Sequence, residues 1–289
     1  MKKLLFLLFL STSLFAKDTI KIVVPYPAGG TSDKVARHIQ NHFGNDEYNF
    51  VVENRPGAGG SVGATYVANE KVPTLLVSGQ ALITNSVLGN VKYDLENDFV
   101  FLSCMITDPL VIVAKADGQI KKFQDLKDMA KTKPVPYGTS GIGTVQNMLS
   151  PIIINRENNH IEVPFKGAPE VMNALLSDTI VWYVDILNLT APLVDSGKFI
   201  MLASSDKLKK YPDVPTFKEL GIDIYGFRSR QVFVANSAID NTLKSYIFKK
   251  LNEDGMKQLL QQNGYESCIN TNNPNALRIE KDIVKRIIK

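Results

Sequence analysis

Cysteine is almost missing from this sequence: its 289 residues hold two, Cys104 and Cys268, together with only three histidines. Two isolated thiols cannot build a disulfide framework, and neither sits in the paired C-x-x-C spacing of zinc or thioredoxin-like sites. Cys104 lies in an apolar stretch and Cys268 near the chain end, and nothing in the sequence brings them within bonding distance. Free, buried thiols are therefore expected, although an oxidising compartment would permit a bond. Charge of one sign is also scarce. Lys and Arg number 33 against 29 Asp and Glu, and a formal net charge of +4 is too small for a nucleic-acid footprint, so no nucleic-acid partner is expected. There is no Walker sequence, no low-complexity tract and no internal repeat of roughly 20 to 50 residues. What remains is an ordinary globular balance, 44% hydrophobic and 21% charged, with length for one large or two medium domains.

The first sixteen residues stand apart. Lys2 and Lys3 precede the apolar run Leu4 to Leu10, then Ser11, Thr12 and Ser13, and Leu14, Phe15 and Ala16 end on a small residue. This pattern predicts a cleaved signal peptide over 1–16. The apolar run falls short of the ~20 residues that a membrane-spanning helix needs, and a lipoprotein signal would require a cysteine well before Cys104. The mature chain is expected to be periplasmic and untethered. Removing the two signal lysines leaves 31 basic against 29 acidic residues, a charge of +2, with little long-range steering of anions.

Short β-branched runs alternate with helical patterns, which predicts an α/β fold. The runs Ile20 to Val24, Phe50 to Val52, Thr74 to Val77, Leu110 to Ala114, Ile180 to Val184 and Phe199 to Ala203 suit strands buried on both faces of mostly parallel sheets. Val35, Ala36, Ile39 and Phe43 repeat at helical spacing, as do Val145, Met148, Leu149 and Ile152, with Pro151 expected to kink or shorten the second helix. A terminal amphipathic helix is predicted over Ala276 to Ile288. Two extended stretches without helical period, Phe101 to Ala114 and Tyr225 to Ala235, read as crossovers between two lobes. The expected division is 17–105 with 228–289 for one lobe and 106–227 for the other.

Two glycine-rich loops each join a strand to a helix. Ile20 to Val24 runs into Pro25-Tyr-Pro-Ala-Gly-Gly-Thr-Ser-Asp33, and Val135-Pro-Tyr137 runs into Gly138-Thr-Ser-Gly-Ile-Gly-Thr144. Glycine lets backbone approach a ligand, Ser32 or Asp33 can cap the first helix, and the first N–H groups of a helix lack intrahelical partners. One such loop is as well explained by a capped turn. Two of them, one per lobe, fit a ligand held between facing helix N-termini. Sharper motifs fail: Ile142 breaks a nucleophile elbow at Ser140, and Val62 stands where a dinucleotide loop would have its third glycine, so neither hydrolase chemistry nor a nucleotide cofactor is expected. His38 and His42 lie four apart on one helix but lack a third ligand, so a solvated helix face is expected and no metal. Asp185 ends Ile180-Val-Trp-Tyr-Val-Asp, where it serves equally as a ligand contact at a strand's carboxyl end or as a helix cap. Lys166 reads as a solvated loop charge.

The runs Ile22-Val-Val-Pro-Tyr-Pro-Ala-Gly-Gly-Thr-Ser-Asp33, Val51-Val-Glu-Asn-Arg-Pro-Gly-Ala-Gly-Gly60, Tyr137-Gly-Thr-Ser-Gly-Ile-Gly-Thr-Val-Gln146 and Val163-Pro-Phe-Lys-Gly167 strongly resemble the Bug receptors, the solute-binding proteins of tripartite tricarboxylate transporters. Ser196-Gly-Lys198 and Pro212-Asp-Val-Pro-Thr216 fit as well, so the resemblance spans nearly the whole mature chain. It implies a two-lobed Venus-flytrap fold of type II that closes on a small carboxylate, a di- or tricarboxylate before others, and delivers it as a monomer to membrane transporter subunits. By resemblance the first-loop contacts are Tyr26, Ala28, Gly29, Gly30 and Thr31, and the second-loop contacts are Thr139, Ser140, Gly141 and Thr144. Asp185 matches an acid that in some relatives meets the ligand's variable end, while Glu53 to Gly60 shapes the lobe.

This chain departs from its relatives at Val181, where another acid is usual, and at Phe227-Arg-Ser-Arg-Gln231 in place of a Trp-Gly-rich crossover. Arg228 and Arg230, two apart on an extended stretch, share a face. Turned inward they would hold a second carboxylate; arginine's preference for exposure points outward. Two other functions use the same fold: an enzyme with Asp185 as base and Lys166 as stabiliser, and a sensory binding subunit.

Overall fold

The computed structural model describes residues 17–155, 159–224, 227–270 and 275–288; the expected signal peptide, and Tyr225 of the second crossover, lie outside the described residues. Strands β1 (Thr19–Val24), β2 (Asn49–Asn54), β3 (Thr74–Ser78) and β4 (Phe99–Asp108) come first. Then follow β5 (Leu110–Lys115), β6 (Val135–Thr139), β7 (His160–Pro164), β8 (Trp182–Ile186) and β9 (Phe199–Ser204), and the chain returns through β10 (Ser229–Asn236) and β11 (Glu266–Ser267). Helices α1 (Thr31–Phe43), α2 (Ser61–Asn69) and α3 (Ala81–Leu88) alternate with the first strands. In the middle of the chain lie α4 (Phe123–Ala130), α5 (Val145–Ile153), α6 (Ala168–Leu176) and α7 (Leu187–Asp195). Helices α8 (Asn241–Asn252), α9 (Asp254–Gln262) and α10 (Ala276–Ile288) close the chain.

Two sheets result, in the orders β11-β4-β10-β3-β1-β2 and β7-β6-β8-β5-β9. With helices on their faces they form two lobes, one per sheet. Since β4 ends at Asp108 and β5 begins at Leu110, the chain changes sheet across Pro109, and it returns between β9 and β10. Both sheets are mixed, where mostly parallel ones were expected. β10 runs antiparallel to β3 and β4, and β5 runs antiparallel to β8 and β9. A strand buried on both faces reads as one apolar run in either direction, so its sequence carries no sign of polarity.

The burial itself follows the period-2 rule. In β1, Ile20, Ile22 and Val24 pack with Phe43, Phe50 and Tyr246 on one face, while Val23 joins Leu76, Val232 and Val284 on the other. In β5, Leu110, Ile112 and Ala114 meet Trp182 and Leu149, whereas Val111 and Val113 meet Tyr183 and Phe199. Pro151 lies inside α5, two residues before its end. α10 spans Ala276–Ile288 as expected, with Leu277 and Val284 buried.

Two expectations are corrected. Cys104 and Cys268 are bonded to each other, Cα to Cα 5.4 Å, across 164 residues of sequence. The two-residue strand β11 explains the pairing: it docks antiparallel on β4, and Cys268 N–H donates to the Met105 carbonyl at 3.2 Å. So short a strand has no readable pattern. His38 and His42 are half-buried rather than solvated: His42 Nε2 lies 3.1 Å from the Lys250 carbonyl and 3.4 Å from Glu253, and His38 meets the Tyr265 ring edge-on at 6.2 Å. The returning helices α8 and α9 cover that face.

Candidate functional site

The first glycine loop is pinned from beneath. Asn54 at the end of β2 donates to the Tyr26 carbonyl and to Asp33 Oδ1, both at 3.0 Å. Asp33 also accepts the Gly29 N–H at 2.9 Å and pairs with Arg37. Burial alone would push the Asp33 carboxyl up, but Arg37, the Gly29 N–H and Asn54 outweigh it and hold the group below its ordinary value. Neither Ser32 nor Asp33 caps α1; the cap position is Gly30, without a side-chain bond. Asp33 instead reaches back from the first turn to accept the Gly29 N–H. In the second loop Thr144 is the cap of α5: its hydroxyl accepts from the Asn147 N–H and donates to the Gly141 carbonyl at 2.7 Å.

Between the two sheets these loops enclose a cavity of about 620 Å³ including its mouth. Five helices begin at its wall: Gly30 and Thr31 open α1, Gln80 and Ala81 open α3, Thr144 and Val145 open α5, Ala168 opens α6, and Ile186 precedes α7. Free N–H groups and the positive ends of five helix dipoles therefore converge on one volume. Among the described residues no lysine, arginine or histidine lines it. Its polar wall is neutral except for Asp185, and several of its groups are unpartnered within the protein: both amide atoms of Gln80, Ser140 Oγ and Asp185 Oδ2. Buried polar atoms are normally paired, so this convergence makes the cavity the candidate site. Among the described residues no group of three or more His, Cys, Asp or Glu side chains could hold a metal ion.

Of the ten residues expected in the site, Tyr26, Gly30, Thr31, Ser140, Thr144 and Asp185 line the cavity, and Ala28, Gly29, Thr139 and Gly141 do not. Ala28 and Gly29 are exposed. Thr139 donates to Glu162 at 2.6 Å, and Gly141 is pressed against Gly59, where an added Cβ would stand 3.0 Å from the Gly59 nitrogen. Gly59 thus belongs to an interlobe contact and not only to the shape of its own lobe. Ser32, Gln80, Gln146, Ser229 and Gln231 also line the cavity. Ser32 donates to Gln231 at 2.5 Å, tying the start of α1 to β10. Ser229 and Gln231 face inward because they alternate with Arg228 and Arg230, which face away. Arg228 pairs with Glu266 and Asp206, and Arg230 pairs with Glu280 of α10. The side-by-side reading of the arginines holds, with their charges spent outside the cleft.

Asp185 is 2% exposed at the end of β8. It is not a helix cap; its Oδ1 accepts from the Ile186 N–H at 2.8 Å and from Gln146 at 3.2 Å. Burial pushes its carboxyl up to about 7 against the pull of those two donors. Asp108, at the end of β4, is pushed to about 7 by burial as well, with Arg228 opposing and the Asp185 charge adding to the rise. Sequence reading missed Asp108 because only the fold brings the ends of β4 and β8 together. Lys166 is exposed and does not line the cavity. Both acids bind protons in the folded state at pH values where the unfolded chain has lost them, so the ligand-free protein should lose stability as pH rises from about 4 to about 7. We expect a falling melting temperature over that window, worth a few kcal/mol, and a shallower fall in Asp185→Asn. A melting temperature that rises over the same window would refute this placement of the two acids.

The profile of the tripartite tricarboxylate transporter family receptor matches residues 35–289. The chain belongs to that receptor family. Among relatives of this receptor, the protein BugT of Bordetella pertussis is 30% identical over 227 residues, covering 73% of this chain and 68% of BugT. A UPF0065 protein of Pseudomonas sp. strain P51 is 28% identical over 219 residues, 71% of this chain but 64% of that protein, just under two thirds of its length. In structure the receptor is similar to the periplasmic binding protein BugD, with a TM-score of 0.81 at 24% identity over 95% of each chain. It is also similar to MatC of Rhodopseudomonas palustris with bound malate, with a TM-score of 0.77 at 21% identity over 94% of this chain and 96% of MatC. At such identities the likeness is one of fold. The receptor is thus a solute-binding protein by family, and its family and structural neighbours are binding proteins rather than enzymes.

Proposed function

We propose that this receptor works as a periplasmic monomer that captures a small carboxylate between its sheets and hands it to the membrane subunits of a tripartite transporter. The supporting observation is the convergence of five helix N-termini and unpartnered neutral donors on one cavity that no cation lines among the described residues. Such a wall holds an anion by preorganised N–H and hydroxyl donors, at lower desolvation cost than a buried ammonium or guanidinium would incur. The enzyme reading loses its stabilising cation, since Lys166 is exposed. Carboxylates, malate and adipate among them, should raise the melting temperature of the purified protein, whereas sugars and metal ions should not. A shift with sugars or cations and none with carboxylates would refute the reading.

Two variants separate the cavity from the fold. Gly30 has φ −74° and ψ 173°, a conformation open to any residue, and an added Cβ would stand 3.6 Å from the Pro27 carbonyl, an ordinary contact. Gly30→Val should therefore keep native stability while its bulk at the α1 terminus weakens carboxylate binding by about tenfold or more. Ser140→Ala removes a buried hydroxyl that has no partner in the protein, so it should leave the ligand-free protein as stable or slightly more so and weaken binding about fivefold to tenfold. Calorimetric titration beside thermal unfolding decides both, and native affinity in the pair would move the ligand elsewhere.

A further inference from the structure

The two crossings between the lobes lie side by side. Asp108, the last residue of β4, pairs in register with Ser229, the first of β10, so outgoing and returning chain meet at one joint. Asp108 is buried, and its Oδ2 has no hydrogen-bond partner. From the second lobe its carboxyl faces the Asn188 N–H of α7, which hydrogen-bonds it, and the charge of Asp185 at the end of β8. From the first lobe it faces Glu266 of β11 and the buried Tyr265 beside it. The cation facing it is Arg228, whose Nε is also buried without a partner, so no hydrogen bond joins that nitrogen to Asp108 Oδ2. Arg228 is shared further: its other nitrogens pair with Asp206 of the second lobe and Glu266 of the first. Asp206 is tied to the second lobe, since Ser205 Oγ accepts from the Leu110 N–H at 3.0 Å and donates to Asp206 at 2.7 Å. Four acids and one guanidinium thus gather where the chain changes sheet.

An ionised Asp108 is costly in this arrangement for two reasons. The α7 terminus of the other lobe keeps water from it, and Asp185 lies across the joint while the attraction of Arg228 is divided among acids. Hydrating the charge requires α7 to leave the end of β4, which parts the lobes. We infer that a proton on Asp108 holds the two lobes together at the seam of Gly59 and Ile142, and that its loss swings them apart about Pro109: the joint is a proton-operated switch. The sign follows from the two environments. Burial, with the Asp185 charge adding, pushes the Asp108 carboxyl up to about 7 with the lobes together. Open to water it would return to about 4. The joined arrangement is therefore fully favoured below about pH 4 and weakens as pH rises to about 7, by up to about tenfold per pH unit for one proton. A solute held between the sheets, whatever its chemistry, is retained in an acidic medium and released as the proton leaves.

The test needs no ligand, so it stands or falls apart from the carboxylate reading. Val51 on β2 and Ile161 on β7 are exposed and lie on the strands of the two sheets farthest from the joint. Spin labels on Val51→Cys and Ile161→Cys, with Cys104 and Cys268 kept in their bond, report lobe separation in the purified protein by pulsed electron resonance. With Asp108 in place, a longer distance should gain population from about pH 5 to about pH 7 and then level off. Asp108→Asn keeps an oxygen for the Asn188 N–H and carries no charge at any pH, so it should flatten that gain. Asp185 titrates in the same range, and the share of Asp108 is therefore read as the difference between the two proteins, up to about tenfold in population ratio per pH unit. Equal responses in the two proteins, including none in either, or a longer distance gained on acidification, would overturn the inference. Should Asp108→Asn fail to fold, Arg228→Gln takes its place. Without the opposing cation Asp108 holds its proton more tightly, so the gain should run on to higher pH, and an unmoved response would overturn the inference equally.

Discussion

Replacing both cysteines, Cys104→Ala with Cys268→Ala, should lower the melting temperature by on the order of 10 °C while leaving the fold recognisable in circular dichroism. The bond closes a loop of 164 residues, and in the chain-entropy account a loop of that length restrains the unfolded chain by about 5 kcal/mol, the upper end of what disulfides supply. The native geometry localises the loss. Beyond Cys268 the chain continues into α10, which packs on α3, and before it β11 contributes two residues of ladder to β4. With so little backbone pairing at β11, the covalent link is the main restraint holding this return against the edge of the first sheet. Treatment of the native protein with reductant under mild denaturant should reproduce the variant. Unchanged melting on reduction, or an intact mass showing two alkylated thiols without prior reduction, would contradict the bond.

The second large effect is expected at Gly59, away from the cavity wall. Its φ is +60°, and a Cβ there would overlap the carbonyl oxygen of Ile142 across the lobe boundary. The same seam carries the Asn85 amide donating to the Ile142 carbonyl at 3.4 Å, and on the far side the Asn188 amide donating to the Asn263 carbonyl at 3.1 Å. Backbone of the two lobes is thus in contact at a residue that has no side chain. Gly59→Val should cost about 1 to 2 kcal/mol through its left-handed backbone alone. The larger consequence is for binding. If closure is denied, apparent affinity falls by the fraction of molecules that still close, and a bias of about 3 kcal/mol against closure weakens it on the order of a hundredfold. Small-angle scattering should then show the same radius of gyration with and without ligand, where the native protein contracts. Native affinity in a folded Gly59→Val protein would mean that this seam does not report ligand capture.

Much of this architecture was legible because period-2 burial and helix-start chemistry are local. The strand at Ile20 to Val24, the loop after it and the helical period of Val35, Ala36, Ile39 and Phe43 follow from residues within one stretch, and so does the terminal helix at Ala276. The start of α1, however, lies two or three residues earlier than caps at Ser32 or Asp33 imply. What was not legible depends on partners far away in sequence. The direction of β10 is set by β3 and β4, the disulfide by a two-residue strand, and the proximity of Asp108 to Asp185 by the change of sheet at Pro109. The cavity shows the same division. The two loops announce themselves by glycine and resemblance to the family singled out Tyr26, Gly30, Ser140 and Thr144 on them, whereas Gln80 has no motif around it and faces the cleft only because α3 begins there. Ser229 and Gln231 were within reach: fixing the arginines to one face of an extended strand fixes these two to the other, and the ion pairs decide which face is inside.

The central claim is that one anionic ligand is held jointly by helix N-termini from both lobes. The most direct measurement is an amide-resolved NMR titration of the isotopically labelled protein with a binding carboxylate, following Thr31 and Ser32 at the start of α1 and Val145 and Gln146 at the start of α5. The account predicts that all four resonances shift along one saturation curve with one dissociation constant. Saturable binding that moves the amides of one loop alone, or of neither, would contradict it.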